Sequence, residues 1–494
     1  MYLLGLDIGS SSVKAAIINA ENGKTMASAF YPETEMPINA PHPDWAEQEP
    51  EEWWENTKLA IKKAMQKGNV NSEFIKAIGL SYQMHGLVAL DKESKVLRPS
   101  IIWCDSRAVS IGDRAFKEMG EERCLMQLFN SPGNFTASKL KWIKDHEPDK
   151  YKKIDKIMLP GDYIAMKLTG NAVTTAPGLS EGIFWDFQND ALSHMLMDYF
   201  QFDESIIPSV VPTFSNQGMI SREVAEDIGL EPGTLVTYRA GDQPNNALSL
   251  NVLNPGEIAA TGGTSGVVYG ITDQVKYDQK SRVNTFLHVN HSQKEKRMGV
   301  LLCINGVGIL NAWLKKLTSF SSYEKMNEEA DKIPVGSEGL KIFPFGNGAE
   351  RMLENKQVDA HFTNINFNIH HHAHLFRAAQ EGIVFSFAYG LQIMKEMGLK
   401  PTLVKAGNAN MFLSNIFRET MADLLEVPIE LYDTDGAKGA ALGAGHGAGI
   451  FKTLDEAFKN LKRIESMDPN PDRVNALSEA YAEWAEILEQ KIGW

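Results

Sequence analysis

The strongest constraint on this chain is a pattern that occurs twice. Residues 3–18 read LLGLDIGSSSVKAAII and residues 256–271 read GEIAATGGTSGVVYGI. Each is an apolar run, a turn of small residues, and a second apolar run. Short apolar runs around a Gly/Ser turn read as a β-hairpin. Glu21-Asn22-Gly23-Lys24 then marks a further hairpin turn. A Walker-type phosphate loop needs a helix after its glycines, so neither copy is one. A hairpin that recurs in the second half of a chain implies two homologous domains rather than a solenoid. The boundary is expected near Asn254-Pro255-Gly256, giving domains 1–250 and 251–494. No low-complexity linker separates them, so a cleft between two packed domains is expected.

Length and composition agree with this. A chain of 494 residues is too long for one ordinary domain. It carries 63 acidic and 49 basic side chains, a net charge of −14, which argues against a nucleic-acid binder. A small anion held by backbone N–H groups remains compatible with that charge. The 3 cysteines are far apart and form no Cys-x-x-Cys, which excludes a zinc finger and fits a reducing compartment. MYLLGLDIGSSS has no basic start, so it does not read as a signal peptide. The apolar stretch Gly299–Leu310 is too short to span a membrane and contains Asn305. The expected location is the cytoplasm.

The two turns are the first candidates for chemistry. A tight turn of Gly and Ser gathers several N–H groups and hydroxyls, which suits the β- and γ-phosphates of a nucleotide. Lys14 lies just downstream and can add a charge, while Asp7 ends the first strand and could hold Mg²⁺ through water. An ordinary Ser-rich hairpin fits either copy alone; their recurrence favours phosphate. Gly241-Asp242-Gln243-Pro244 follows the apolar segment 233–240. A carboxylate there is placed to take a proton from a substrate hydroxyl, or else forms an Asx turn before a helix.

Gln83-Met84-His85-Gly86 interrupts two apolar strands with polar groups. Trp103-Cys104-Asp105-Ser106-Arg107 is a similar interruption, which fits either a polyol pocket or a simple turn with a salt bridge. Leu403–Ala409 reads as a strand and small-residue turn before a helix over 411–425. GAKGAALGAGHGAG, residues 436–449, implies a helix packed closely against a ligand or another helix. The spacing of His370, His371, His372 and His374 gives only a 370/374 pair for a metal and no acidic partner, which fits a solvated helix start better.

Seven blocks in order resemble the FGGY carbohydrate kinases over nearly the whole chain, with the xylulokinase branch as the nearest pattern. LGLDIGSSSVKAAI resembles the first phosphate motif, and SYQMHGL the sugar-site strand. AGDQPNNAL resembles the segment of the catalytic aspartate, and GEIAATGGTSGVVY the second phosphate motif. FPFGNGAERM, HLFRAAQEGIVFSFAYGL and the turn at Gly407 resemble further C-terminal blocks. Met84-His85 stands where glycerol kinases have Arg-Glu. The resemblance implies an α/β fold of two ribonuclease-H-like domains, of the actin and sugar-kinase superfamily, flanking a catalytic cleft. It implies Asp242 as general base, with Met84, His85, Trp103, Asn134 and Gln243 lining the sugar. Ser10, Ser11, Lys14, Gly263, Thr264 and Gly407 would hold ATP, and Asp7 with Asp242 would hold Mg²⁺. The implied reaction is ATP-dependent phosphorylation of a ketopentose, D-xylulose foremost. Ribulose, gluconate and glycerol kinases are the alternatives within the family, and a non-catalytic nucleotide switch or sugar sensor is the alternative outside it. The implied partners are sugar and ATP, with no nucleic acid or membrane, and with a homodimer as a family habit. Two blocks depart from the pattern: Ala406-Gly407-Asn408-Ala409 replaces Gly-Gly-Gly-Ala, and TTAPGLSEGIFWDF lacks Asp-Ala-Ser-Gly.

Overall fold

The computed structural model describes residues 1–493, and the last residue of the expected second domain lies outside them. The chain opens with β1 (Tyr2–Ile8) and β2 (Val13–Asn19), paired antiparallel, with Asp7 opposite Lys14. The Asn22-Gly23 turn leads to β3 (Thr25–Tyr31), antiparallel to β2. A helix, Pro50–Gly68, follows; its proline occupies the first turn, where no N–H is needed, and Glu51 and Glu52 favour the dipole. The helix buries Trp53, Trp54, Ala60, Ile61 and Ala64 on one stripe.

β4 (Ile75–Tyr82) lies parallel to β1, with Ser81 opposite Asp7. β5 (Phe214–Met219) and β6 (Leu235–Gly241) complete a six-stranded sheet in the order β5-β6-β4-β1-β2-β3. Nearly every residue of β1 and β4 is buried, as expected of strands covered on both faces.

The second unit contains a sheet with the same logic. β7 (Glu257–Gly262) and β8 (Gly266–Thr272) form its hairpin. With β9 (Asn284–Leu287), β10 (Met298–Ile304), β11 (Leu403–Gly407), β12 (Ile429–Tyr432) and β13 (Arg463–Met467), the order is β9-β10-β8-β7-β11-β12-β13. In both sheets an antiparallel three-strand meander adjoins two parallel neighbours and an antiparallel edge. The repeated sequence pattern is therefore the leading hairpin of a repeated sheet. The core of this unit surrounds Trp484, Phe343, Phe385 and Phe387 and the long buried helix His372–Glu396.

The units are not two contiguous stretches. The first comprises residues 1–251, 286–297 and 434–461; the second comprises 252–285, 298–433 and the residues from Lys462 onward. The helix Gly436–Gly447 therefore belongs to the N-terminal unit. It packs against β1 and β4 and against the helix Asp242–Ser249. A methyl group on Gly5 would sit 1.7 Å from the Ala437 carbonyl oxygen, and one on Gly79 would sit 2.0 Å from that of Ala440. Both strands lack side chains where the helix backbone crosses them. The small-residue helix thus meets a sheet as well as a helix.

Candidate functional site

In the first unit the candidate residues converge on the C-terminal ends of β1, β4 and β6. Asp7 is half-buried at the end of β1, followed by the Gly9–Ser12 turn. Lys14 Nζ is 2.9 Å from Asp435 Oδ2, both partly exposed. Asp435 also caps the helix Gly436–Gly447, accepting from the Lys438 N–H at 3.0 Å. A side chain at Gly436 would come within 2.6 Å of the Asp7 carboxylate. Burial pushes the Asp7 carboxyl up; Ser81 works against the shift, Asp435 adds to it and Lys14 opposes it.

Asp242 heads the helix Asp242–Ser249, directly after Gly241 ends β6. The helix start reading therefore holds, and the carboxylate lies in the first turn, where the dipole favours an anion. Burial nonetheless raises its pKa from 3.8 to about 7, and Asp7 adds to the rise, while Gln243 lowers it. Asp7 and Asp242 are thus close enough to feel each other's charge. A carboxyl poised near neutrality matches what a general base requires.

Met84 and His85 follow β4 in a turn. Met84 is buried, and a side chain at Gly241 would come within 2.6 Å of its Cγ. The His85 ring meets Phe135 edge-on at 4.8 Å and leans on Phe286 at 5.5 Å. Asn134 precedes Phe135; its amide nitrogen donates to the Asp105 carbonyl, while its buried Oδ1 has no partner among the described residues. The buried Oε1 of Gln243 likewise has none. Such unpaired acceptors suit the hydroxyls of a polyol. Trp103 is 53% exposed, and its Nε1 lies 3.4 Å from Ser10 Oγ, so it sits against the first turn. Beyond it the chain forms a salt bridge: Asp105 and Arg107 are buried, 2.7 Å apart, with Arg107 stacked 3.8 Å over Trp45.

In the second unit Gly263 and Thr264 form the turn between β7 and β8. The Gly263 carbonyl accepts the Gly308 N–H at 2.9 Å, and that of Thr264 accepts the Ile309 N–H at 3.2 Å, both from the start of the helix Gly308–Leu317. Gly407 ends β11, the parallel neighbour of β7, and has nothing within 4 Å of a would-be side chain. Gly263, Thr264 and Gly407 therefore share one end of that sheet, whereas Ser10, Ser11 and Lys14 belong to the first unit. The expected helix at 411 begins at Asn415 instead. Asn410–Leu413 forms a 3-10 turn first, with Asn410 at φ 54°, and the Ser414 side chain caps the helix.

Sequence reasoning singled out no role for Lys139, Phe286 or Asp435, and marked Glu181 only as part of the departing block that shapes one wall of the pocket. Glu181 is 2% exposed, and its carboxyl adjoins the His85 N–H and Gly241. Its pKa is pushed well up by burial, with the His85 N–H opposing the shift and Asp162 and Asp242 adding to it. The His-rich segment does start a helix, but His374 is buried, 2.8 Å from Glu338. No group of three or more His, Cys, Asp or Glu that could hold a metal occurs among the described residues. None of the described helices is long and apolar enough to cross a membrane.

Two family profiles tile this arrangement. The N-terminal domain of the FGGY family of carbohydrate kinases matches residues 2–249, and its C-terminal domain matches 258–448. The chain belongs to the FGGY family. Its members' activity makes it a sugar phosphotransferase with ATP as the other substrate. It is 28% identical to a xylulose kinase of Escherichia coli over 500 residues, covering 99% of both chains. Its fold matches the crystal structure of xylulose kinase from Rhodospirillum rubrum with a TM-score of 0.89 at 25% identity, covering 99% of both chains. A gluconate kinase from Lactobacillus acidophilus shares the fold, with a TM-score of 0.88 at 22% identity, covering 99% of this chain and 98% of that one.

Proposed function

We propose that this FGGY kinase transfers the γ-phosphoryl group of ATP to the 5-hydroxyl of a ketopentose, D-xylulose foremost. Asp242 carries the reading: it is a carboxyl in the first turn of a helix, poised at about 7, in the unit that also holds Met84 and His85. As the anion it accepts the hydroxyl proton while the sugar oxygen forms its bond to phosphorus. The bond between that phosphorus and the bridging oxygen breaks, and ADP leaves. Met84, His85, Trp103, Asn134 and Gln243 bind the sugar, with the unpaired amide oxygens of Asn134 and Gln243 accepting from its hydroxyls. The Ser10–Ser11 turn with Lys14, and the Gly263–Thr264 turn with Gly407, hold the nucleotide. The oxygen donors Asp7 and Asp242 fit Mg²⁺, which needs only one or two carboxylates beside waters and phosphates and supplies charge neutralisation to the transferring group. The same reading includes a cytoplasmic homodimer.

Glycerol offers too few hydroxyls for the pocket's polar groups, each unpaired one costing roughly 1–3 kcal/mol. A coupled ADP-release screen over ketoses, polyols and aldonates tests this. Xylulose should give the highest kcat/KM, ribulose the next, and glycerol far less. Gluconate or glycerol ahead of both ketopentoses overturns the substrate.

A further inference from the structure

His85 is held in an unusual way. Its φ is 63°, a left-handed conformation that a non-glycine residue keeps only where its surroundings over-determine it. The surroundings here are specific. The His85 N–H points to Glu181 Oε1 at 3.4 Å, and its Nδ1 lies 2.9 Å from the Glu181 carbonyl oxygen. The His85 carbonyl accepts from Lys139 Nζ at 2.9 Å, and the same ammonium reaches the Ile102 carbonyl at 2.9 Å. Glu181 is 2% exposed and Lys139 fully buried. A buried lysine spent on two backbone carbonyls is expensive to desolvate, and burial lowers its pKa to about 7. Its hydrogen-bond partners are carbonyls, not carboxylates, so it is placed to fix backbone.

Glu181 also reaches the other side of the site. Its Oε2 lies where a side chain at Gly241 would come within 2.4 Å, immediately before Asp242. Ser180, beside it, accepts the Leu287 N–H at 3.0 Å and so secures the segment whose Phe286 backs the imidazole. One short stretch of chain thereby ties together His85, the approach to Asp242 and an aromatic wall. Glu181 lies in the block that departs from the family pattern.

We propose that Glu181 and Lys139 are positioning residues that set sugar affinity by clamping His85 from both sides. The inference rests on the reading of His85 as a sugar ligand. With Nδ1 engaged by the Glu181 carbonyl, the plane of the imidazole is fixed. Losing either clamp would let the turn relax from its left-handed conformation and swing the imidazole away. Substrate binding would weaken, and nucleotide binding would not.

The test uses Glu181→Met, which removes the acceptor of the His85 N–H, Lys139→Met and His85→Ala, singly and with each clamp variant combined with His85→Ala. The substrate is whichever sugar the wild-type enzyme turns over fastest. Each clamp variant should raise the KM for sugar roughly three- to tenfold, the scale of one lost buried hydrogen bond. The KM for ATP should stay within about twofold. In the His85→Ala background the clamp variants should add nothing further, because their target is gone. A merely structural role would raise sugar and ATP constants together, or would add equally with and without His85, and either result overturns the clamp. Glu181→Met keeps the length of the side chain, so it decides the matter should Lys139→Met fold poorly. If His85→Ala raises the sugar KM but Glu181→Met does not, only the clamp is refuted. If His85→Ala itself leaves the sugar KM unchanged, the sugar-site reading fails and the clamp with it.

Discussion

Replacing Asp242 by Asn should make the protein more stable and nearly inactive. The pKa of Asp242 rises from 3.8 to about 7 on folding, chiefly through burial. The folded chain therefore holds this proton more tightly than the unfolded chain, so stability falls as pH rises between those two values. A tenfold difference in proton affinity is worth about 1.36 kcal/mol, so the full window is worth about 4 kcal/mol; partial solvent access reduces this to about 2–4 kcal/mol. Asn carries no charge and escapes that cost. In urea unfolding with chelator present, Asp242→Asn should match wild type near pH 3.5 and exceed it by about 2–4 kcal/mol at pH 8. Turnover in a coupled ADP-release assay should drop about 10²–10⁴-fold, the contribution of a positioned base. The wild-type rate should fall as pH drops below about 7, where Asp242 takes up its proton. Equal stability of the two proteins at pH 8 would refute the burial argument. More than half of wild-type turnover in the variant would refute the role of base.

Thr264→Tyr fills the second turn, and calorimetry should show ATP binding weakened at least tenfold with sugar affinity little changed; unaltered ATP binding would show that this turn is not a phosphate site. Gly79→Ala places a methyl group 2.0 Å from the Ala440 carbonyl oxygen, so it should destabilise the first unit by about 1–3 kcal/mol in urea unfolding, as overpacking does. A fragment of residues 1–251 lacks the helix Gly436–Gly447 and should give no cooperative thermal transition by circular dichroism, whereas a sharp transition would show that the helix is dispensable.

The sequence carried its local features well. The opening hairpin was legible because Asp7, three serines and a glycine end one apolar run and precede another. The helix Pro50–Gly68 shows in the sequence as an apolar stripe behind an acidic start. The repeat was legible as a strand pattern and appears as two sheets of one topology. Within the candidate site, Met84, His85 and Asp242 could be singled out because polar residues interrupt apolar strands there. Glu181 and Lys139 could not be assigned roles, because a buried charge in the fold looks like a surface charge in the sequence. Glu181 sits at the end of a six-residue helix, and nothing local shows that its carboxyl meets His85 far back in the chain. Phe286 was equally silent, since its segment joins a unit whose main stretch ends at Asn251. The helix start at Asn415 had a readable signal in Ser414, an N-cap residue placed just before the apolar pattern.

The two returning segments explain why the site's electrostatics were the least legible part. Asp7 takes its place from β1, the first element of the chain, but its environment comes from the other end. Asp435 caps the late helix, binds Lys14 and raises Asp7. Asp7 in turn raises Asp242. The readiness of the base is set first by its own burial, to which Asp7 adds, while Asp7 in turn feels Asp435. Gly5 and Gly79 make that arrangement possible, since any side chain there would hold off the helix that carries Asp435. Small residues on two strands and on the helix that crosses them thus do more than pack a core. They fix how near Asp435 comes to Asp7, the carboxylate whose charge adds to the burial that holds the Asp242 proton.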